Sequence, residues 1–154
     1  MSVLPIVTGA ESPILRKKTK NVPKVTKEVL KLIKDMKATV KSAEGLGLAA
    51  PQVGESLRVC LVQMNGKMTP LVNPKITWMS DELALMEEGC LSLPGINVDV
   101  PRAVEIKVTY LDEKGKEQQR HLHDLDARVV QHEVDHLEGV LIVDYLSPKE
   151  PVRL

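Results

Sequence analysis

The chain has 154 residues, and we expect residues 1–154 to form a single domain with a substantial hydrophobic core. Lysine plus arginine number 21, as do aspartate plus glutamate, so the net charge of zero argues against a strongly basic nucleic-acid binder. Aromatic residues make up only 2%, too few for a surface that stacks bases. No apolar run approaches the ~18 residues that span a bilayer, and the start lacks signal-peptide features. We therefore expect a cytoplasmic protein that binds neither membranes nor specific nucleic acids.

The chain begins with a predicted irregular arm followed by a helix. Three prolines punctuate residues 1–23, and Ser12-Pro13 favours a turn that leads into a short helical piece. Apolar residues recur every three or four positions over residues 25–42, with lysines between them. This spacing predicts an amphipathic helix, with Thr26 as its N-cap.

Four strands are predicted next. Residues 57–64 and 71–78 are short apolar runs joined by the turn signal Asn65-Gly66. Residues 103–111 alternate strictly between apolar and polar, which is typical of a half-buried strand. Residues 116–123 follow a turn and are predicted to return as an exposed strand.

A second helix is predicted over residues 124–138. Asp124 stands at its start as a capping carboxylate, and Gly139 stands just after its end. A strand is predicted over residues 140–143, and the tail 148–154 is expected to bury little surface. This order of elements predicts an α+β fold with mostly antiparallel sheets.

The second helix carries the sharpest chemical signal, His132-Glu133-Val134-Asp135-His136. Residues four apart share one helix face, so His132 and His136 can present two imidazoles to one metal ion. Glu133 lies about 100° round the helix, where it is placed to act as a base toward water rather than as a ligand. The alternative is a chance match, which a shuffled chain would show on the order of once in a hundred tries.

A catalytic site of this kind needs a third protein ligand. The downstream positions that zinc peptidases use are not filled, because one is Ile142 and Glu150 lies in a proline-flanked tail. We therefore expect the ligand upstream, at Cys90 within Glu87–Gly95. A thiolate with two imidazoles suits zinc, ferrous iron, nickel or cobalt. The alternatives are a structural metal site, or a buried cysteine without a ligand role, as expected for Cys60 in its apolar strand.

Gly45–Gln52 is a third notable segment. Its glycines and alanines permit close approach of the backbone to a ligand or a neighbouring strand, but no Lys-Ser or Lys-Thr follows to make a phosphate loop. Taken alone, it is explained as a turn between a helix and a strand. Gln52 has an amide that could donate a hydrogen bond to a developing oxyanion, as could many glutamines.

Together these segments resemble the signatures of peptide deformylases. The matching segments are Gly45–Gln52, Glu88–Ser92 and Gln131–Leu137, each complete and in the family's order. Weaker similarity runs from Ser12 to Ser147. Many bacterial members continue into a C-terminal helix where this chain has only Pro148–Leu154.

The resemblance implies a metal-dependent hydrolase that removes the N-formyl group from formyl-methionine on newly made polypeptides and releases formate. It also implies that the sheets pack around a central helix carrying the histidines. Cys90, His132 and His136 would bind one divalent metal, Fe(II) in the cell with Zn, Ni or Co as replacements. Glu133 would be the general acid/base. The Gln52 amide and the Leu91 backbone N–H would stabilise the oxyanion.

The same resemblance suggests a substrate site and partners. Gly47 would line the active site, and in some members Glu88 pairs with Arg102. The substrate methionine needs an apolar pocket, for which the expected residues are Leu46, Leu125, Val129 and the stem of Arg128. N-formylmethionyl peptides are the expected partners, and the ribosome is a further one if docking does not require the C-terminal helix.

Two other functions share part of this pattern. An ordinary zinc endopeptidase has the same helix motif but gives no role to Cys90 or Gln52. A metal-dependent binding module could keep the fold without activity, but every catalytic position of the resemblance is filled here.

Overall fold

Three α-helices and seven strands make up residues 1–146, the part of the chain that the computed structural model describes. In chain order the elements are α1 (Pro13–Arg16), α2 (Lys27–Ser42), β1 (Gly47–Ala49), β2 (Val59–Met64), β3 (Lys67–Met79), β4 (Leu83–Cys90), β5 (Leu93–Ala103), β6 (Glu105–Leu111), β7 (Glu117–His123) and α3 (Asp124–Leu137), with 3₁₀ turns at Ala50–Val53 and Ile142–Tyr145. Within these residues, no helix is long and apolar enough to cross a membrane.

The strands form two antiparallel sheets, which confirms the predicted α+β class. One sheet has five strands in the order β1-β2-β3-β6-β7, and the other is the β4–β5 hairpin. Asn65 and Gly66 join β2 to β3 with φ angles of 52° and 76°, both in the left-handed region. The Asn-Gly turn was predicted because these two residue types tolerate that conformation best.

The helix α3 lies at the centre of the molecule. Strand β2 is buried on both faces, because Cys60 and Val62 pack in a core with α3 while Val59 and Leu61 pack in a core with α2. On the other side of α3, Arg128 donates hydrogen bonds to the Val100 carbonyl of β5 at 2.9 Å and to a β4 carbonyl at 2.7 Å. α3 is therefore held between the two sheets.

Several local predictions are confirmed. Thr26 caps α2, since its Oγ1 accepts a hydrogen bond from the Val29 N–H at 3.3 Å, although the helix begins at Lys27. The strand predicted over residues 103–111 is β6, with alternate side chains buried, although it begins at Glu105 because Ala103 ends β5. The strand predicted over residues 116–123 is β7, which pairs with β6 along its whole length.

The strand predicted over residues 140–143 is wrong. Leu141 and Ile142 instead enter a core cluster with Leu15 of α1, and a 3₁₀ turn follows. A four-residue apolar run does not distinguish a strand from any other buried segment. Asp144 of this turn binds Arg16, with 2.6 Å between Nη1 and Oδ2.

The residue at the N-cap of the second helix is not the predicted Asp124. His123 occupies the N-cap position of α3 without a side-chain capping bond, and Asp124 is the first helical residue. Gly139 does follow the helix end, with φ of 78°, and a Cβ there would lie 2.5 Å from the Arg16 carbonyl oxygen. The hairpin of β4 and β5 was not predicted. The prediction for the tail 148–154 lies outside the described residues.

Candidate active site

The histidines of α3 and the cysteine that ends β4 lie together. His132 and His136 stand one helical turn apart, with their ring centroids 5.1 Å from each other. Cys90 Sγ lies 3.3 Å from His136 Nε2. One potential ligand atom from each of the three residues lies within 4.8 Å of the others. Atoms this close can be joined by one ion with bonds of about 2.0–2.3 Å.

Glu88 fixes the orientation of His132. Its Oε1 lies 2.8 Å from His132 Nδ1. A carboxylate only accepts hydrogen bonds, so Nδ1 carries the proton and Nε2 is the nitrogen left to bind a metal. Burial opposes protonation of His132, but its hydrogen bonds with Cys90 and Glu88 prevail and raise its pKa to about 10, so a metal that binds Nε2 has to displace a proton.

Glu88 is also the centre of a buried ionic network. Arg102 donates to both of its carboxylate oxygens, each at 2.9 Å, and Arg128 donates to Oε2 at 2.5 Å. Burial opposes ionisation of Glu88, but the hydrogen bonds from His132 and Arg102 prevail and lower its pKa far below the usual range. The carboxylate is therefore a fixed negative charge behind the histidine.

Glu133 points into the same site from the next position of α3. It is only 4% exposed, and its Oε1 is buried without a hydrogen-bond partner among the described residues. Burial raises the pKa of Glu133 to about 7, against the opposing charges of His132 and Arg102. A buried carboxylate oxygen with no partner is a group placed for a proton or a ligand rather than for structure.

Gln52 lies beside Cys90 in the 3₁₀ turn after β1. Its Oε1 accepts a hydrogen bond from the Ala49 N–H at 2.9 Å, which fixes the direction of the amide. Its Nε2 lies 3.0 Å from Ser92 Oγ and 3.9 Å from Cys90 Sγ. The donor end of the amide therefore lies next to Ser92 and Cys90.

A cavity of about 410 Å³ opens over these groups. The predicted site residues that line it are Leu46, Gly47, Gln52, Cys90, Leu91, Leu125, Arg128, Val129, His132 and Glu133. His136 lies beneath it, 2% exposed. A larger cavity of about 860 Å³ lies beside Arg102 and Asp135 and is lined by none of the three potential ligands.

Comparison with known proteins assigns nearly the whole chain to one family. The family model "Polypeptide deformylase" matches residues 3–152. A peptide deformylase of Pseudothermotoga lettingae is 48% identical over 134 residues, which cover 87% of this chain and 78% of the relative. The chain belongs to the polypeptide deformylase family. Its members are enzymes that remove the N-formyl group from nascent peptides in a metal-dependent reaction.

Two solved structures of deformylases have the same fold. The structure of the Ehrlichia chaffeensis enzyme in complex with actinonin matches with a TM-score of 0.92 and 38% identity, over 96% of this chain and 91% of that one. The Acinetobacter baumannii class I type b deformylase with bound Met-Ala-Ser matches with a TM-score of 0.89 and 37% identity, over 95% of this chain and 100% of that one.

The three potential ligands fit the metal that a deformylase requires. A thiolate and two imidazoles are a donor set for Zn, Fe, Ni or Co, and Glu88 provides the outer partner that ligating histidines usually have. Burial, followed by the charges of His132 and Arg102, holds the pKa of His136 well below its usual value. His136 is thus held neutral, the form that binds metals.

Sequence reasoning gave no role to several residues that line the deformylase cavity. Gly45, Glu87 and Gly89 lie within Gly45–Gln52 and Glu87–Gly95, so the sequence already indicated that these segments are functional. No sequence pattern indicated that Met86 lines the cavity, because Met86 is half-exposed in a strand that was not predicted. Nothing in the local sequence indicated that Arg128 would bind Glu88, 40 positions away.

Gly47 is the position where a single methyl group should damage this site. A Cβ there would lie 2.6 Å from Glu133 Oε2 and 2.8 Å from the Leu61 carbonyl oxygen, which is backbone in the sheet and cannot move aside. We expect Gly47→Ala to displace Glu133 and to lower kcat/KM about a hundredfold. The measurement is steady-state formate release together with the melting temperature.

Gly89→Ala is the matched control for stability, because its Cβ would meet only the end of the Asn97 side chain, at 3.1 Å. If Gly47→Ala were as active as the unmodified chain, the close approach of the β1 backbone to Glu133 would have no catalytic importance.

Proposed function

We propose that residues 1–154 act as one catalytic domain that hydrolyses the N-formyl group of formyl-methionyl peptides, in the cytoplasm where nascent chains are made. The observation that carries the proposal is the convergence of three distant segments on one cavity. Residues 45–52, 88–92 and 131–137 supply an amide donor, a thiolate, two imidazoles and a buried carboxylate there. Docking on the ribosome stays a prediction.

The metal is part of the proposal. Cys90, His132 and His136 would hold one divalent ion, which we propose to be Fe(II) in the cell, with Zn, Ni or Co as replacements. The ion would supply acidification of water and polarisation of the formyl carbonyl.

Glu133 is the proposed general acid and base. It takes a proton from the attacking water and later passes that proton to the amine nitrogen of methionine as the carbon–nitrogen bond breaks. Formate and a free N-terminus are the products. The role is supported by Oε1, which has no hydrogen-bond partner within residues 1–146 and can receive the proton without breaking a hydrogen bond.

Gln52 and Leu91 are the proposed oxyanion donors. The amide of Gln52 is held by Ala49 with its Nε2 directed toward Cys90, and Leu91 is the residue that follows Cys90 at the cavity wall. Donors fixed before the reaction stabilise the negative oxygen without having to reorient.

The methionine side chain is proposed to occupy the apolar part of the cavity. Leu46, Leu125 and Val129 line it there, and Arg128 is held at its edge by Glu88. A related deformylase has Met-Ala-Ser bound, and that tripeptide begins with the residue we place in this pocket. A formyl carbon carries only hydrogen, so a close-fitting site excludes larger acyl groups.

The deciding experiment tests two peptides as substrates of the metal-loaded protein. Formate release from formyl-Met-Ala-Ser is expected, with no release of acetate from acetyl-Met-Ala-Ser and no cleavage of an internal peptide bond. Internal cleavage without formate release would favour the zinc endopeptidase instead. Metal binding without any hydrolysis would favour a binding module.

Removal of the Gln52 donor should lower kcat far more than it raises KM. Gln52→Leu keeps most of the bulk but removes a bond made chiefly in the transition state, and one such donor contributes about a hundredfold to a thousandfold in kcat. The substitution also leaves the buried Ala49 N–H without its partner, so the melting temperature should fall as well.

Ser92→Ala is the matched control for Gln52→Leu. It removes the hydroxyl that accepts from Gln52 Nε2 but leaves the amide and its bond to Ala49 in place. We expect its kcat to stay within a few-fold of the original. A Gln52→Leu variant with unchanged kcat would make Gln52 a purely structural residue.

A further inference from the structure

Within residues 1–146, a second group of metal-ligating side chains lies away from the active site. Its members are Glu105 of β6 and His121 and His123 of β7, whose potential ligand atoms all lie within 4.8 Å of one another. None of the three lines the 410 Å³ cavity. The deformylase reaction proposed above therefore gives them no role.

The strand geometry explains why these three side chains meet. His121 and His123 are two positions apart on β7, so both project from the same face of the sheet. Glu105 is the direct cross-strand partner of His123, which makes His121 its diagonal neighbour. Glu105 Oε2 contacts His121 Nε2 and lies 3.8 Å from His123 Nε2. The carboxylate thus reaches both imidazoles.

Neighbouring groups constrain Glu105 and His121. The Glu105 backbone is fixed to Ser80 by two hydrogen bonds, at 2.9 and 3.2 Å. Trp78 stands edge-on to His121, with 6.1 Å between the ring centroids. Lys107 is the direct cross-strand partner of His121, and its ammonium group lies over the Trp78 ring, 5.6 Å from the ring centroid.

We propose that Glu105, His121 and His123 form a second metal site, for a divalent transition-metal ion of the Zn(II) class. Two imidazoles and one carboxylate match the donors of known three-ligand zinc sites, and solvent can complete the coordination. The imidazoles favour Zn, Ni or Cu over Mg or Ca, which prefer oxygen donors throughout. The side chains are between 32% and 58% exposed, so an ion can enter and leave without opening the fold.

An ion at this second site would stabilise the β6–β7 hairpin, which directly precedes the active-site helix α3. An ion there would join β6 to the end of β7, and His123 directly precedes α3. The junction is already closed by a hydrogen bond from the Asp124 N–H to the Val104 carbonyl, at 2.8 Å. A bound ion would add stability to the folded chain by mass action without contacting the substrate.

The test counts zinc ions in the intact chain. The zinc-loaded protein is dialysed to equilibrium against buffered micromolar Zn(II), and zinc per chain is measured for the original chain and for His121→Asn/His123→Asn. We expect the double variant to bind one ion fewer and to lose the rise in melting temperature that excess zinc gives the original chain. Glu105→Gln alone should weaken the second ion at least about tenfold.

Glu117→Gln is the matched control, because it removes one carboxylate from the start of the same strand and should leave both ions bound. Equal zinc content in the original chain and the double variant would overturn the proposal, as would a second ion unaffected by Glu105→Gln. The result does not depend on the function proposed above. If the active site held no metal, both counts would fall by one and their difference would remain.

Discussion

Glu133→Ala should abolish deformylation while leaving the metal bound. Glu133 lies on α3 between the two histidines, but the group of three potential ligand atoms forms without it. Loss of a general acid and base lowers the rate by about a hundredfold or more, because both proton transfers would fall to solvent. The measurements are kcat for formate release and the metal content of the same preparation.

Two further variants make this result specific. Glu133→Gln keeps the volume of the side chain next to Gly47, so a similar loss in this variant excludes a packing effect. Glu138→Gln removes a carboxylate just past the end of the same helix, where it binds Arg58 on the side of the larger cavity, and should retain activity. If Glu133→Ala kept even a tenth of the original rate, Glu133 would not be the base.

The periodic parts of the fold could be predicted from the sequence. In β6, Ile106 and Val108 are buried while Lys107 between them is exposed, so the alternation in the sequence has a direct physical origin. In β4 the side chains of residues 83–87 are all exposed, and no alternation exists to be detected. Strand β4 was missed for that reason.

The same contrast applies to the active site. His132 and His136 could be predicted because helical geometry alone brings them together. Cys90 came from the resemblance and from the failure of downstream alternatives. The contact of Glu88 with Arg128 depends on how the β4–β5 hairpin packs across α3, and no local pattern encodes it. The pair His121 and His123 did carry a period-two signal, which was not recognised.

Cys90 should be both a metal ligand and the thiol of this chain that oxidants attack. Cys90 lines the open cavity, whereas Cys60 is fully buried in β2. Burial, and then the charge of Glu133, raises the pKa of the Cys60 thiol well above its usual value, which keeps it protonated and unreactive. Peroxide should therefore oxidise Cys90 and spare Cys60.

The donor atoms of Cys90, His132 and His136 determine which metal the site binds most tightly. Zinc binds such ligands more tightly than ferrous iron, so protein prepared in air should contain mostly zinc or nickel. The iron form should be the most active and should lose activity in air as iron, and then Cys90, is oxidised. Cys90→Ser should weaken metal binding by more than about a hundredfold, because even the loss of an outer partner costs about 10–100-fold. Cys60→Ala is the matched control and should keep the metal.

The experiment loads metal-free protein anaerobically with iron, nickel or zinc and follows formate release before and after exposure to peroxide. Mass spectrometry then locates the oxidised cysteine. Oxidation confined to Cys90, with activity lost in step, would support its role as a ligand at an open site. Oxidation of Cys60 with Cys90 intact, together with unchanged metal affinity in Cys90→Ser, would remove Cys90 from the site. The two histidines of α3 would then be the only supported ligands, and the zinc endopeptidase would become the better explanation of this helix.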